Sequence, residues 1–307
     1  VYDVLLGEAY YLRFDPKLFE AQQPYPPLGT LYAASYLRDA GHRVAVFDAM
    51  LAESEAEWAM ALDREQPRAA VIYEDSFNYL SKMCLLRMRA AALAMIDEAK
   101  RRGIPVLVSG SDATDHAQIY LDRGAACVIL GEGEVTLARA VEAVLRGDAL
   151  SDVQGVCVRD EHGAPRRTSA RPFIKSLDEL PRPAWDLIDI SRYQRVWRSR
   201  HQSFSMNIAT TRGCPYSCNW CAKPIYGQRY TVRSPQHVVD EMAFLKQTFQ
   251  PDHLWIVDDI FGLKPGWIEE FAELAARADA VIPFKCLMRA DQVTASVVDA
   301  LKAAQCR

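Results

Sequence analysis

The chain has no large excess of charge of either sign: 36 Lys and Arg stand against 40 Asp and Glu, a net charge of −4. That excludes the broad basic surface of a general nucleic-acid or membrane-surface binder. No apolar run is long enough to span a bilayer. No secretory leader is visible, although the chain opens at Val1 rather than at Met. No G-x-G-x-x-G follows the first apolar run, so the dinucleotide fingerprint is missing. Cysteine is sparse and uneven: eight in 307 residues, at 84, 127, 157, 214, 218, 221, 286 and 306. With three of them bunched, these do not form a disulfide framework, and a reducing, cytoplasmic setting is expected. Cys84 falls in a helical pattern and Cys127 in a strand pattern, where a thiol serves as a small buried apolar side chain.

What is there is an ordinary globular balance, 50% hydrophobic and 25% charged, in a chain long enough for two domains. Residues 1–148 alternate short apolar runs with helical patterns, the signature of a parallel α/β sheet. Strands are predicted at 3–6, 43–47, 70–73, 105–109 and 126–130, and helices at 30–40, 54–64, 81–101, 115–123 and 134–146. Gly41, Gly103, Gly124 and Gly147 each follow a helix, as C-terminal caps do. These units fit a flavodoxin/Rossmann-like doubly wound sheet, which takes its ligand at the carboxyl ends of its strands. There stand Gly7-Glu8, Glu74-Asp75-Ser76-Phe77-Asn78, Ser109-Gly110-Ser111-Asp112 and Gly131-Glu132-Gly133-Glu134. Any one of these glycines reads as turn chemistry; four strand ends together read as a site for a flat or bulky ligand. The aromatic-rich loop 77–83 either leads into a helix capped by Ser81 or covers that ligand.

Residues 149–200 read as a connector. Runs at 153–158 and 165–169 flank a turn with Asp160 and Gly163, predicting a hairpin with His162 exposed. Residues 180–186 are stiffened by Pro181 and Pro183, and Trp185, Leu187 and Ile188 are expected to pack on a domain. The basic, aromatic run 195–201 is a solvated surface or a guide for an anionic substrate.

Residues 201–307 repeat strand and helix: strands at 204–209, 253–257 and 283–288, helices at 235–248, 265–278 and 294–304. Ser234 and Pro235 supply an N-cap and a first-turn proline. Such repeats fit part of a β/α barrel, whose sites lie at the strand carboxyl ends. The last helix pattern ends where the next strand is due, as expected of a piece of a longer protein. After the first strand comes TTRGCPYSCNWC (210–221), with Cys214, Cys218 and Cys221 in C-x3-C-x2-C spacing. Asp258 and Asp259 end the second strand and Arg289 the third. Closely spaced thiolates suit zinc or an iron–sulfur cluster, and a closed site takes four protein ligands. The next His or Cys residues, His237 and Cys286, stand too far along. The residues alone leave open an incomplete zinc knuckle or a [4Fe-4S] cube with one iron free.

The whole run TTRGCPYSCNWC, with Trp220 before its last cysteine, resembles the radical S-adenosylmethionine (SAM) enzymes. YPPLGTLYAASYLRDAGHRVAVFDA (25–49) and GAACVILGEGEVTLARAV (124–141) resemble the cobalamin-binding domain that precedes the barrel in many of them. The connector resembles the usual bridge, so the resemblance covers nearly the whole chain. It implies a [4Fe-4S] cluster on Cys214, Cys218 and Cys221 whose open iron binds S-adenosyl-L-methionine. An electron then releases a 5′-deoxyadenosyl radical that abstracts hydrogen. Trp220, Asp258, Asp259 and Arg289 match positions that contact SAM or substrate, and Glu241 is expected near the cluster or on the surface. Gly7, Glu8, Ser76, Phe77, Gly110, Ser111, Gly131, Glu132 and Gly133 would border cobalamin. No D-x-H-x-x-G occurs, and Gly7-Glu8-Ala9-Tyr10 stands in its place, so no histidine is expected on cobalt. The G-G-x-H of related domains is Ser109-Gly110-Ser111-Asp112 here, and where the family has six barrel units this chain supplies three.

The activity implied is methyl transfer to a weakly activated carbon, or phosphorus, of a small-molecule substrate, with a reductant such as flavodoxin or ferredoxin and no nucleic-acid or membrane partner. Oxidative cyclisation or ring rearrangement would use the same cofactors. Methylthiotransferases carry extra cluster cysteines in their N-terminal domain, and Cys84, Cys127 and Cys157 stand in the wrong places for that. A non-enzymatic cobalamin carrier or redox sensor is the reading from another class.

Overall fold

Runs of apolar residues too short for helices form the centre of the first half of the chain. The computed structural model describes residues 2–75, 77, 85–219 and 225–307. The chain divides into two units, Val1–Phe173 with Pro181–Asp189 and Ile174–Leu180 with Ile190–Arg307.

In the first unit β1 (Val4–Gly7), β2 (Val44–Phe47), β3 (Ala69–Tyr73), β4 (Val106–Ser109) and β5 (Cys127–Ile129) are parallel. Most of their residues are buried, as expected of strands covered on both faces. The helices between them are α1 (Pro16–Ala21), α2 (Leu28–Asp39), α3 (Ala56–Glu65), α4 (Leu85–Arg101), α5 (Ser111–Asp115), α6 (Ala117–Arg123) and α7 (Glu134–Arg146). The sheet runs β2-β1-β3-β4-β5 and continues through β6 (Val156–Arg159) and β7 (Pro165–Arg167). Strand order therefore reverses between β1 and β3, the switch point where open α/β sheets take ligands. Trp58 of α3, Met95 of α4 and Tyr120 of α6 fill one core; α2 and α7 cover the other face with Leu37, Leu137 and Val141. Trp58 is fixed by its indole N–H, which donates to the Met95 carbonyl at 3.0 Å.

The predicted hairpin is β6 and β7, and His162 is exposed in its turn. It does not stand apart as a connector: β6 pairs antiparallel with β5 and widens the sheet. Trp185 is buried and the half-buried Leu187 packs on the α2–α7 core, while Asp186 pairs with Arg38 of α2 at 2.6 Å. Cys127 and Cys157 are buried; Cys84 and the Ser81 cap lie outside the described residues.

The main part of the second unit begins with a helix where the sequence suggested a basic run: α8 (Ile190–His201) buries Ile190, Tyr193 and Trp197 on one face. Then come β8 (Ser205–Ile208), β9 (Thr211–Arg212), β10 (Thr231–Val232), α9 (Pro235–Phe249), β11 (His253–Ile256), α10 (Trp267–Arg277), β12 (Phe284–Lys285) and α11 (Ala295–Ala303). The strands β8, β11 and β12 form a parallel sheet in the order β12-β11-β8, as three successive barrel units require. Phe261, Trp267, Phe271 and Phe284 pack beneath it, Trp267 stacked on Phe271 at 5.3 Å. The first turn of α9 is capped as predicted, the Ser234 hydroxyl accepting from the His237 N–H at 3.2 Å. Among the described residues no helix is long and apolar enough to cross a membrane.

Candidate functional site

The cysteine run lies on a hairpin connection. β9 leaves the carboxyl end of β8 and pairs antiparallel with β10, Arg212 opposite Thr231. Residues 213–230 are thereby tied at both ends. Gly213 opens the connection at φ +78°, and a Cβ there would lie 2.4 Å from the Arg229 carbonyl oxygen, so only glycine fits. Cys214 and Cys218 follow, both half-buried, while Trp220 and Cys221 lie outside the described residues.

Asp258, at the end of β11, holds the start of this connection. Its Oδ1 accepts from the N–H groups of Thr210 at 2.7 Å and Thr211 at 3.0 Å, and Oδ2 accepts from the Thr210 hydroxyl. Burial pushes its carboxyl up to about 6, against the downward pull of those hydrogen bonds. Expected among the SAM contacts, Asp258 has its carboxylate occupied by its own chain; Asp259 beside it is exposed. Arg289 does reach the cysteine connection, its guanidinium 3.9 Å from the ring centre of Tyr216 and paired with Asp291 at 2.8 and 2.9 Å. Arg212 lies over Tyr226 at 5.0 Å.

Arg233, just past β10, was not singled out in the sequence and is the anchor of this region. It is 5% exposed, and its Nη1 donates to the Ala209 carbonyl at 2.8 Å and lies 2.6 Å from Glu241 Oε2. The Glu241 contact is an ion pair whose angles fall short of a hydrogen bond. Glu241 is thus on neither the surface nor the cysteine connection: it is buried against Arg233, tying α9 to the end of β8. Soft thiols on one half-exposed connection beside an arginine suit a thiolate-held iron–sulfur group. Among the described residues no three His, Cys, Asp or Glu side chains gather as a metal site.

At the strand ends of the first unit, the predicted glycines sit against protein atoms. Gly7 packs under Trp58, and Gly110 lies against Glu74. A Cβ on Gly133 would come within 2.6 Å of the Tyr73 hydroxyl and 3.0 Å of Ser109 Oγ. Gly131 is held by Thr114, whose hydroxyl accepts from its N–H at 3.3 Å. Glu132 is buried and paired with Arg171 at 3.3 Å. Phe77 is buried, its ring 6.0 Å from that of Tyr32, and Ser111 is half-buried; Ser76 lies outside the described residues. Glu8 is 1% exposed and Glu74 5%, and each keeps a buried Oε1 with no hydrogen-bond partner among the described residues. Burial, with Asp75, Asp48 and Glu74 nearby, raises the Glu8 carboxyl well above its ordinary range. Burial and Asp112 push Glu74 up to about 8, opposed by Arg89. Unsatisfied acids at the switch point are what an incoming polar ligand would complete, so the residues present fit a cofactor there.

Residues 18–141 match the B12 binding domain family. Over 255 residues the chain is 29% identical to the hopanoid C-3 methylase of Methylococcus capsulatus, covering 82% of this chain and 45% of that protein. Over 276 residues it is 24% identical to the anaerobic magnesium-protoporphyrin IX monomethyl ester cyclase of Synechocystis, covering 89% and 53%. The fold matches the solved structure of the radical S-adenosylmethionine methyltransferase TsrM from Kitasatospora setae, with cobalamin and a [4Fe-4S] cluster bound. The TM-score is 0.74 at 19% identity, over 99% of this chain and 57% of that one. Residues 18–141 are thus a B12-binding segment, and the fold of the whole chain is similar to that of a radical S-adenosylmethionine methyltransferase.

The chain spans about half the length of the curated relatives it matches. Glu74 stands in a strand-end stretch that the sequence marks as a site, though with no role of its own, and Arg233 is missed altogether. Arg233 carries no such signal, because its partners Ala209 and Glu241 are distant in sequence. The same holds for Cys286 and Cys306, whose sulfurs lie 3.8 Å apart beside the parallel bridge from Phe284 to Cys306.

Proposed function

We propose that the chain is the cofactor-bearing part of a cobalamin-dependent radical SAM enzyme that methylates a weakly activated carbon, or phosphorus, of a small molecule. The observation that carries this reading is the joining, in one chain, of a B12-binding doubly wound sheet to a parallel β/α unit with its cysteine connection at the carboxyl end of β8. Cys214, Cys218 and Cys221 would hold the [4Fe-4S] cluster. Trp220, Asp259 and Arg289 would border S-adenosyl-L-methionine. Gly7, Glu8, Ser76, Phe77, Gly110, Ser111, Gly131, Glu132 and Gly133 would border the corrin. Bound there, these groups would supply reductive SAM cleavage and a transferable methyl group. The chain's own part is positional. Asp258 and Gly213 fix the entry to the cysteine connection, Arg233 fixes its exit, and Arg289 brings positive charge beside it. A reductant such as flavodoxin or ferredoxin would supply the electron.

The Synechocystis relative is named as a cyclase, which favours a second reading, oxidative cyclisation with the same cofactors. Anaerobic purification, reconstitution with iron, sulfide and hydroxocobalamin, and spectra before and after desalting test the shared part. Cluster absorbance with retained corrin bands is expected, and Cys214→Ala with Cys218→Ala should remove only the former. Reductive incubation with SAM should then give 5′-deoxyadenosine. Corrin retention with no deoxyadenosine from reconstituted protein would overturn the enzyme reading in favour of a carrier or sensor. Cluster without corrin would leave a radical SAM protein whose first unit binds something else.

A further inference from the structure

Each parallel strand of the first unit delivers an acidic side chain at or just beyond its carboxyl end: Glu8 after β1, Asp48 after β2, Glu74 and Asp75 after β3, Asp112 after β4 and Glu132 after β5. Most of these are answered within the protein. Asp48 accepts from the Met50 N–H at 3.2 Å. Asp75 accepts from the N–H groups of Gly29 and Phe77, both at 3.0 Å. Asp112 meets Arg89 at 2.7 Å and the Tyr120 hydroxyl at 2.6 Å. Glu132 meets Arg171. The exceptions are Glu8 and Glu74, on the adjacent strands β1 and β3 that flank the switch point. They are among the most buried of the set, and neither has a cation or a hydrogen-bond donor for its Oε1 among the described residues.

A buried carboxylate left without a partner costs several kcal/mol, so such a group keeps its proton instead. The raised titration of both side chains agrees with this. A protonated carboxyl offers one donor and one acceptor side by side. A primary carboxamide presents the complementary pair, and carboxamides rim the corrin of cobalamin. A carboxylate-bearing or phosphate-bearing ligand would instead meet an acid that must stay protonated.

We propose that the side chains of Glu8 and Glu74 are hydrogen-bonding partners of carboxamide groups on the corrin margin, at the carboxyl ends of β1 and β3. This rests on the cobalamin reading above. It adds a ligand chemistry for Glu8 and Glu74, and it accounts for the Oε1 of each having no hydrogen-bond partner among the described residues.

The test is equilibrium binding of hydroxocobalamin to the full chain, read by quenching of tryptophan fluorescence and by corrin retained after desalting. Glu8→Leu and Glu74→Leu should each weaken binding about tenfold, the loss of a buried hydrogen bond. Glu8→Gln and Glu74→Gln, which stay neutral and keep a donor and an acceptor, should bind within about threefold of the parent. On the parent protein, cobalamin monocarboxylates, with one amide hydrolysed, should as a set include members that bind at least about tenfold more weakly than hydroxocobalamin. This comparison needs no variant to fold. Equal binding by the leucine variants and by every monocarboxylate, with hydroxocobalamin bound by the parent, would overturn the inference and leave the cobalamin reading standing. No binding by the parent would fail that reading itself. Thermal stabilisation by magnesium that competes with corrin and is lost in the glutamine variants would mean the acids hold a cation, and would also overturn the inference.

Discussion

Asp258 holds Thr210 twice, accepting its backbone N–H at 2.7 Å on one oxygen and its hydroxyl on the other. The contact joins the end of β11 to the point where the chain turns from β8 into the cysteine connection. Asp258→Ala would leave the buried N–H groups of Thr210 and Thr211 without their acceptor, at about 1–3 kcal/mol. The expected outcome is a lower melting temperature and poor retention of reconstituted iron, with corrin binding by the first unit unchanged. Full iron retention would mean the clasp does not position the cysteines.

Gly213→Ala should be more damaging than its chemistry suggests. The backbone is left-handed there, which costs an L-residue about 1–2 kcal/mol, and the added methyl would meet the Arg229 carbonyl. Gly41 is the control, with φ +92° and nothing within 4 Å of an added Cβ. Gly41→Ala should lose only the backbone share, and iron and sulfide analysis after reconstitution should separate the two. Equal losses would remove the steric argument.

Arg233→Met should destabilise the second unit by about 3–5 kcal/mol, because it leaves Glu241 buried and charged without its cation. Arg233→Met combined with Glu241→Leu should recover a large part of that loss. Urea denaturation of the two variants and the parent measures the coupling; simple additivity would show that the pair does not act as one.

The pH dependence of stability should carry the mark of Glu74. Its carboxyl moves from an ordinary 4.5 to about 8 on folding. Across that window the unfolded chain ionises this group while the folded one holds its proton, so stability is lost as pH rises and levels off above it. Glu74→Gln should match the parent near pH 4.5 and melt higher than it near pH 8. Parallel melting curves across this range would contradict the assignment.

The sequence made the local periodicity plain and the distant partnerships obscure. Alternating apolar runs and post-helix glycines located the five parallel strands of the first unit, because burial on both faces leaves a mark in each short segment. The stripe of α8 was present too, in Ile190, Tyr193 and Trp197 at helical spacing, but Arg192, Arg195, Arg198 and Arg200 among and after them read as a charged surface. The cysteines were legible because spacing within one short loop is itself the signal. The environments of Asp258, Glu241 and Glu74 were not, since each depends on residues brought together by strand pairing and helix packing. A carboxylate's sequence position says where its backbone ends up, and not whether it meets a threonine, an arginine or nothing.

The short ladder between β9 and β10 has a consequence for assembly. Bringing the ends of a chain segment together has an entropic cost that grows with the logarithm of its length. With residues 213–230 already closed by Thr211, Arg212, Thr231 and Val232, that cost falls on folding rather than on capture of inorganic iron and sulfide. The apoprotein would therefore hold the segment that carries Cys214 and Cys218 by both its flanks before iron and sulfide arrive.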